Sequence, residues 1–174
     1  KSKIIGIDLN PDAKKLEKDG FKIIIGDQSK KEFWKKFFKK IGKVDIIIDD
    51  GGHTNIQQIT TLMESVNFIK DGGRIIIEDT HTSFMSKKGF NNPSKYSLVS
   101  FSTSIIENLH RRNPNIKKKL NNFSKKIFSI EYFDSIVSFK IDESKCSMTR
   151  NLENNKKLKK NFIDYRFKKD LKKK

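Results

Sequence analysis

The sequence predicts an α/β domain: a doubly wound, mostly parallel sheet with an antiparallel hairpin on its C-terminal side. Three observations predict it. Short, β-branched apolar runs recur at residues 3–9, 21–26, 44–48 and 75–77; the first carries Asp8 near its end, and each of the others is followed at once by an acidic residue. Amphipathic stretches of helical period separate these runs, the alternation that builds parallel sheets. Residues 127–141 hold two further strand-like segments, IFSIEYF and SIVSFKI, meeting at Asp134-Ser135, a connection short enough for a hairpin.

The elements follow in order. KIIGIDL, residues 3–9, is a strand carrying Asp8, and Asn10-Pro11 then opens a helix that runs to Asp19-Gly20; asparagine suits the cap and proline the first turn. FKIIIG, residues 21–26, is the next strand and ends in Asp27-Gln28. Ser29 is expected to cap a helix through Lys40, with Phe33, Trp34, Phe37, Phe38 and Ile41 on its apolar side and Gly42 as its stop. Residues 44–84 are the centre of the chain. The strand at 44–48 runs into Asp49-Asp50-Gly51-Gly52-His53, and the strand at 75–77 runs into Glu78-Asp79-Thr80-His81. Between them Ile56, Ile59, Leu62, Met63, Val66 and Ile69 are predicted to share one helix face, and Asp71-Gly72-Gly73 to turn the chain back. Residues 83–97 read as a loop beside the acids, and residues 98–112 as a helix broken by Asn113-Pro114-Asn115. The domain is expected to span residues 1–144, and the lysine-rich residues 145–174 to form a tail or surface helix.

Composition narrows the function classes. The formal net charge is +17 over 174 residues. Lysine supplies nearly all of it and is used throughout, whereas nucleic-acid grooves favour arginine with interleaved aromatics. The charge therefore reads as a compositional habit, and nucleic acid is not the expected partner. The single cysteine, Cys146, excludes an internal disulfide and a cysteine-rich zinc site. No apolar run reaches the length of a membrane span, so a cytoplasmic location is expected; self-association is left open.

The carboxyl ends of parallel strands lie on one edge of the sheet, where open α/β sheets bind ligands. Asp49, Asp50, His53, Glu78 and Asp79 should converge there. Carboxylates gathered around one imidazole repel one another unless a cation lies among them, and hard oxygen ligands suit Mg²⁺, Ca²⁺ or Mn²⁺. Asp8 and Asp27 repeat the strand-end acid, a position from which such folds bind ribose hydroxyls.

IDDGGH, followed after a GG pair by IIIEDTHTSF, resembles the metal-dependent sugar O-methyltransferases of macrolide biosynthesis, members of the class I methyltransferases that use S-adenosylmethionine. GIDL, GDQ and the SIEYFDSIVSFKI hairpin match in order, so the resemblance covers roughly residues 3–141. It implies a Rossmann-like methyltransferase fold. It implies Asp50, Glu78 and Asp79 as ligands of Mg²⁺ or another hard divalent cation, and His53 as general base. It implies Asp8 at the cofactor ribose, Asp27 and Gln28 at its adenine end, and Asp49 among the cofactor-binding residues. The acceptor would be a small molecule or glycoside. The family's glycine loop follows a strand that precedes the one carrying Asp8. Only two residues precede that strand here, and none of the nine glycines forms GxGxxG, so the chain is expected to lack the first strand and its loop. Two other classes compete: a nonenzymatic basic interaction module with a methyltransferase-like shell, and a metal-dependent hydrolase. A hydrolase would have no use for Asp8 and Asp27.

Overall fold

The structure, a computed structural model, describes residues 2–86, 95–110, 112 and 125–147. Strands β1 (Ile5–Asp8) and β2 (Lys22–Ile25) pair in parallel, Gly6 opposite Ile23. Strands β3 (Val44–Asp49), β4 (Ile69–Ile77), β5 (Ile127–Phe133) and β6 (Ile136–Ile141) form a mixed sheet in the spatial order β3-β4-β6-β5. Within it β3 and β4 are parallel, and β6 runs antiparallel to both β4 and β5. Among the described residues no ladder joins β1 to β3.

Helix α1 (Lys31–Ile41) holds the two strand groups together. Trp34, Phe37 and Phe38 recur at helical spacing and are buried. They pack on Ile5 and Ile7 of β1, Ile24 of β2, and Val44 and Ile47 of β3. Phe38 also stacks on Phe68 at 4.3 Å between ring centroids. Such aromatics bury large apolar areas and favour these offset and edge contacts. Helices α2 (Asn55–Ser65) and α3 (Leu98–His110) cover the rest of the same face, where Leu62, Val66, Leu98 and Ile105 meet Ile75, Ile77, Val137 and Phe139.

The expectation of helices on both faces is not met among the described residues. Side chains alternate across a strand, so Ile46 and Ile48 point away from the helices, and they are 56% and 61% exposed. Residues Pro11–Asp19, expected to be an α-helix, form a 3₁₀ helix with no buried residue. Its job is polar. Lys14 Nζ donates to the Ile23 carbonyl at 2.6 Å and Glu17 Oε1 accepts from the Ile23 N–H at 3.0 Å, which covers the outer edge of β2.

Three local expectations are also corrected. Ser29 does not cap α1: the cap position is Lys30, and Ser29 gives its N–H and hydroxyl to Asp27 instead. Asp71-Gly72-Gly73 does not end the preceding helix, which stops at Ser65 and continues as a short 3₁₀ turn, Val66–Phe68. The triplet lies inside β4, where the register passes from Val44 opposite Ile69 to Ile46 opposite Arg74 and the extra residues bulge out. Gly73 is needed there, because a Cβ would come within 2.2 Å of the Asp45 carbonyl oxygen. Finally, Ile56 and Met63 are exposed, and the buried face of α2 carries Asn55, Gln58, Thr61, Leu62 and Ser65. A capping box between Thr54 and Gln57 sets the start of α2, and the helix then turns this mainly polar face inward.

Residues 113–124, most of the loop expected at 83–97 and the lysine-rich stretch from 148 onward lie outside the described residues.

Candidate functional site

In β3 and β4 Asp49 stands opposite Ile77, and the Glu78 N–H donates to the Asp49 carbonyl at 3.0 Å. The two strands therefore end level, and the residues that follow meet. Asp50, His53 and Asp79 each offer one ligand atom to a group whose members all lie within 4.8 Å of one another. His53 Nε2 is 3.3 Å from Asp79 Oδ2, and His53 Nδ1 is buried without a hydrogen-bond partner among the described residues. Glu78 is adjacent in sequence but is not one of this group.

Both turns that deliver these side chains use a strained backbone. His53 and Asp79 have φ of 54° and 53°, the left-handed region that L-residues rarely occupy. Aspartate and histidine are among the side chains that tolerate it best. At Asp79 the strand direction ends and a 3₁₀ helix, Thr80–Phe84, begins. His81 Nδ1 lies 3.8 Å from Asp79 Oδ1 and 2.6 Å from the hydroxyl of Ser135. Ser135 is the second residue of the β5–β6 turn, has φ 60°, and accepts the Thr80 N–H through its carbonyl.

The other expected site residues separate into a second group. Asp49 is buried and accepts both carboxylate contacts from Gln28 Nε2, at 2.8 and 3.0 Å. Gln28 Oε1 in turn accepts the Gly52 N–H at 3.2 Å. The Gln28 amide thus braces the end of β2 against the end of β3. Asp8 is exposed and accepts the Asn10 N–H at 2.7 Å.

Asp27 accepts the Ser29 hydroxyl at 2.7 Å and its N–H at 2.8 Å. The hydroxyl, then the N–H, hold its carboxyl below the usual carboxylate range. A folded-state pKa below the unfolded one adds stability above the unfolded value, and this is lost as pH falls through the folded value. An NMR titration of the Asp27 carboxyl should therefore show a midpoint below that of an unperturbed aspartate. In Ser29→Ala the midpoint should rise; an unchanged midpoint would remove Ser29 as the cause. Burial pushes the Cys146 thiol up, consistent with no reactive role.

Three residues of this region had no role assigned from sequence. Gln58, 1% exposed, donates to the Glu78 carbonyl at 2.9 Å. Thr82, buried, contacts the carbonyls of His53 and Asp79. Ser135 holds His81. A glutamine at a helix position four residues before buried Leu62 was the visible signal for the first; Thr82 stood within the EDTHTSF motif, while Ser135 carried no signal beyond its turn.

No family model matches the chain. Among curated proteins, it is 31% identical over 84 residues to mycinamicin VI 2''-O-methyltransferase of Micromonospora griseorubida, covering 48% of this chain and 21% of that protein. It is 33% identical over 78 residues to L-olivosyl-oleandolide 3-O-methyltransferase of Streptomyces antibioticus, covering 45% and 20%. Among solved structures, the MycE methyltransferase of the mycinamycin biosynthetic pathway, in complex with Mg, SAH and mycinamycin VI, matches with a TM-score of 0.70 at 20% identity, over 80% of this chain and 36% of that one. The chain thus spans about a fifth of the length of these curated relatives. It has the mixed-sheet architecture of a class I methyltransferase, and in sequence and fold it resembles part of the sugar O-methyltransferases of macrolide pathways.

Proposed function

We propose that this chain is part of an S-adenosylmethionine- and divalent-metal-dependent O-methyltransferase that acts on a hydroxyl of a sugar or related acceptor. The observation that carries the proposal is the grouping of Asp50, His53 and Asp79 at the level ends of β3 and β4, in a chain similar to sugar O-methyltransferases. The two carboxylates of this group are hard oxygen donors that suit a divalent cation, and they bring the imidazole beside it. In this reading Asp50, Glu78 and Asp79 hold the cation, Mg²⁺ for preference. When bound, it lowers the pKa of an acceptor hydroxyl and fixes its position. S-adenosylmethionine supplies the electrophilic methyl group. His53 takes the hydroxyl proton at Nε2, which lies 3.3 Å from Asp79 Oδ2.

Asp8 and Asp27 are proposed at the ribose and adenine ends of the cofactor, with Gln28 and Asp49 fixing the wall between them. The sheet is read as lacking one central strand. In support, among the described residues β1 and β3 each pair on one side only, and α1 spans both. A strand between β1 and β3 would complete the sheet and bring a glycine loop to the cofactor edge. A cytoplasmic enzyme is part of the same proposal. Among the described residues no helix is long and apolar enough to cross a membrane.

The test is methyl transfer from S-adenosylmethionine to a glycoside acceptor by the complete protein that carries this chain. Transfer should stop in excess chelator and return on adding Mg²⁺. Undiminished transfer with chelator present would reject the metal-dependent reaction.

A further inference from the structure

The strain at the site is not scattered. The non-glycine residues with positive φ among those described are His53, Asp79 and Ser135, and the first two supply the facing imidazole and carboxylate. A backbone held in a sparsely populated region persists only where its surroundings over-determine it. Here the surroundings include one buried hydroxyl. Thr82 is 3% exposed, and its Oγ1 lies 2.9 Å from the His53 carbonyl and 2.8 Å from the Asp79 carbonyl. A threonine hydroxyl has one hydrogen to donate. The Asp79 carbonyl also accepts the Thr82 N–H at 3.1 Å, and a carbonyl oxygen has two lone pairs, so the single hydroxyl hydrogen is shared between the His53 and Asp79 carbonyls. Thr82 therefore ties the two left-handed residues together: its N–H and hydroxyl reach the Asp79 carbonyl, and the same hydroxyl reaches the His53 carbonyl.

We propose that Thr82 is a positioning residue, a latch that holds His53 and Asp79 in their left-handed conformations and thereby sets the separation of imidazole and carboxylate. The consequence for cation binding rests on the function proposed above; the backbone consequence does not. A residue one contact removed from the ligands commonly changes metal affinity by about 10–100-fold. Valine has the shape of threonine without the donor, and serine keeps the donor with less volume.

The experiment uses the complete protein that carries this chain and its Thr82→Val and Thr82→Ser variants, with Mn²⁺ as the probe. In calorimetry Thr82→Val should bind Mn²⁺ at least about tenfold more weakly than wild type, and Thr82→Ser should recover most of the difference. In crystal structures Thr82→Val should lose the positive φ at residue 53, while Thr82→Ser keeps it. A folded Thr82→Val with wild-type φ and wild-type Mn²⁺ affinity overturns the latch. The wild type offers a check that needs no variant: the Thr82 hydroxyl proton should be visible by NMR and protected from exchange, and a freely exchanging hydroxyl also overturns it. Absence of Mn²⁺ binding in the wild type would instead count against the metal reading, while the φ and hydroxyl measurements would still decide the latch.

Discussion

Asp79→Asn should abolish both divalent-cation binding by this chain and methyl transfer by the complete protein. Asparagine keeps the shape of aspartate and is among the residues that accept a left-handed backbone, which Asp79 requires at φ 53°. Alanine at that position would add strain and confuse a lost ligand with a distorted turn. The substitution removes one negative charge from the group Asp50, His53 and Asp79, and it removes the carboxylate that faces His53 Nε2 at 3.3 Å. Ligand loss and base misplacement then act together, so the affinity should fall by at least about 100-fold, beyond the usual effect of a supporting residue. Asp45→Asn is the matched control. Asp45 pairs with Lys70 on the exposed surface, where an ion pair contributes little. If Asp79→Asn binds Mg²⁺ or Mn²⁺ like the Asp45 control, the cation site lies elsewhere.

His53→Asn should separate the two functions. With the carboxylates intact, cation binding should survive, whereas turnover should fall by roughly 10²–10⁴-fold, the usual contribution of a general base. Asparagine is again chosen for the positive φ, here 54°. A variant as fast as wild type would exclude His53 as the base. Loss of cation affinity equal to that of Asp79→Asn would make His53 a ligand, an assignment its place within the same 4.8 Å group would accommodate.

The parallel strands and the helix that bridges them were legible because both signals are periodic and local. The runs at residues 44–48 and 75–77 are unbroken and β-branched, and Trp34, Phe37 and Phe38 repeat at helical spacing. The meeting of Asp50, His53 and Asp79 was legible too, since parallel strands that end level carry their next residues to one edge, although Glu78, expected with them, is not in the group. What could not be read was rotation and closure. Ile56 and Met63 satisfy a helical apolar pattern as well as Leu62 does, yet the capping box at Thr54 and the tertiary contacts turn Gln58 and Thr61 inward instead. Glycines mark a stop and a bulge with the same letters, so Gly72-Gly73 gave no warning that the chain was already in a strand. Nor does the sequence announce that Gln28 faces Asp49 across the joint between the two strand groups, because that contact depends on where α1 sets them.

The sides of β1 and β3 that are unpaired among the described residues have a colloidal consequence. An open strand edge is a template for pairing with another molecule, and soluble proteins commonly guard such edges with charge. Here the guarding is global rather than local: Ile46 and Ile48 lie bare beside the edge, while a net charge of +17 keeps molecules apart. That repulsion acts over about 10 Å at 0.1 M salt and only about 3 Å at 1 M. The isolated chain should therefore behave as a polyelectrolyte with adhesive seams, dispersed in dilute buffer and associating through its sheet as ionic strength rises.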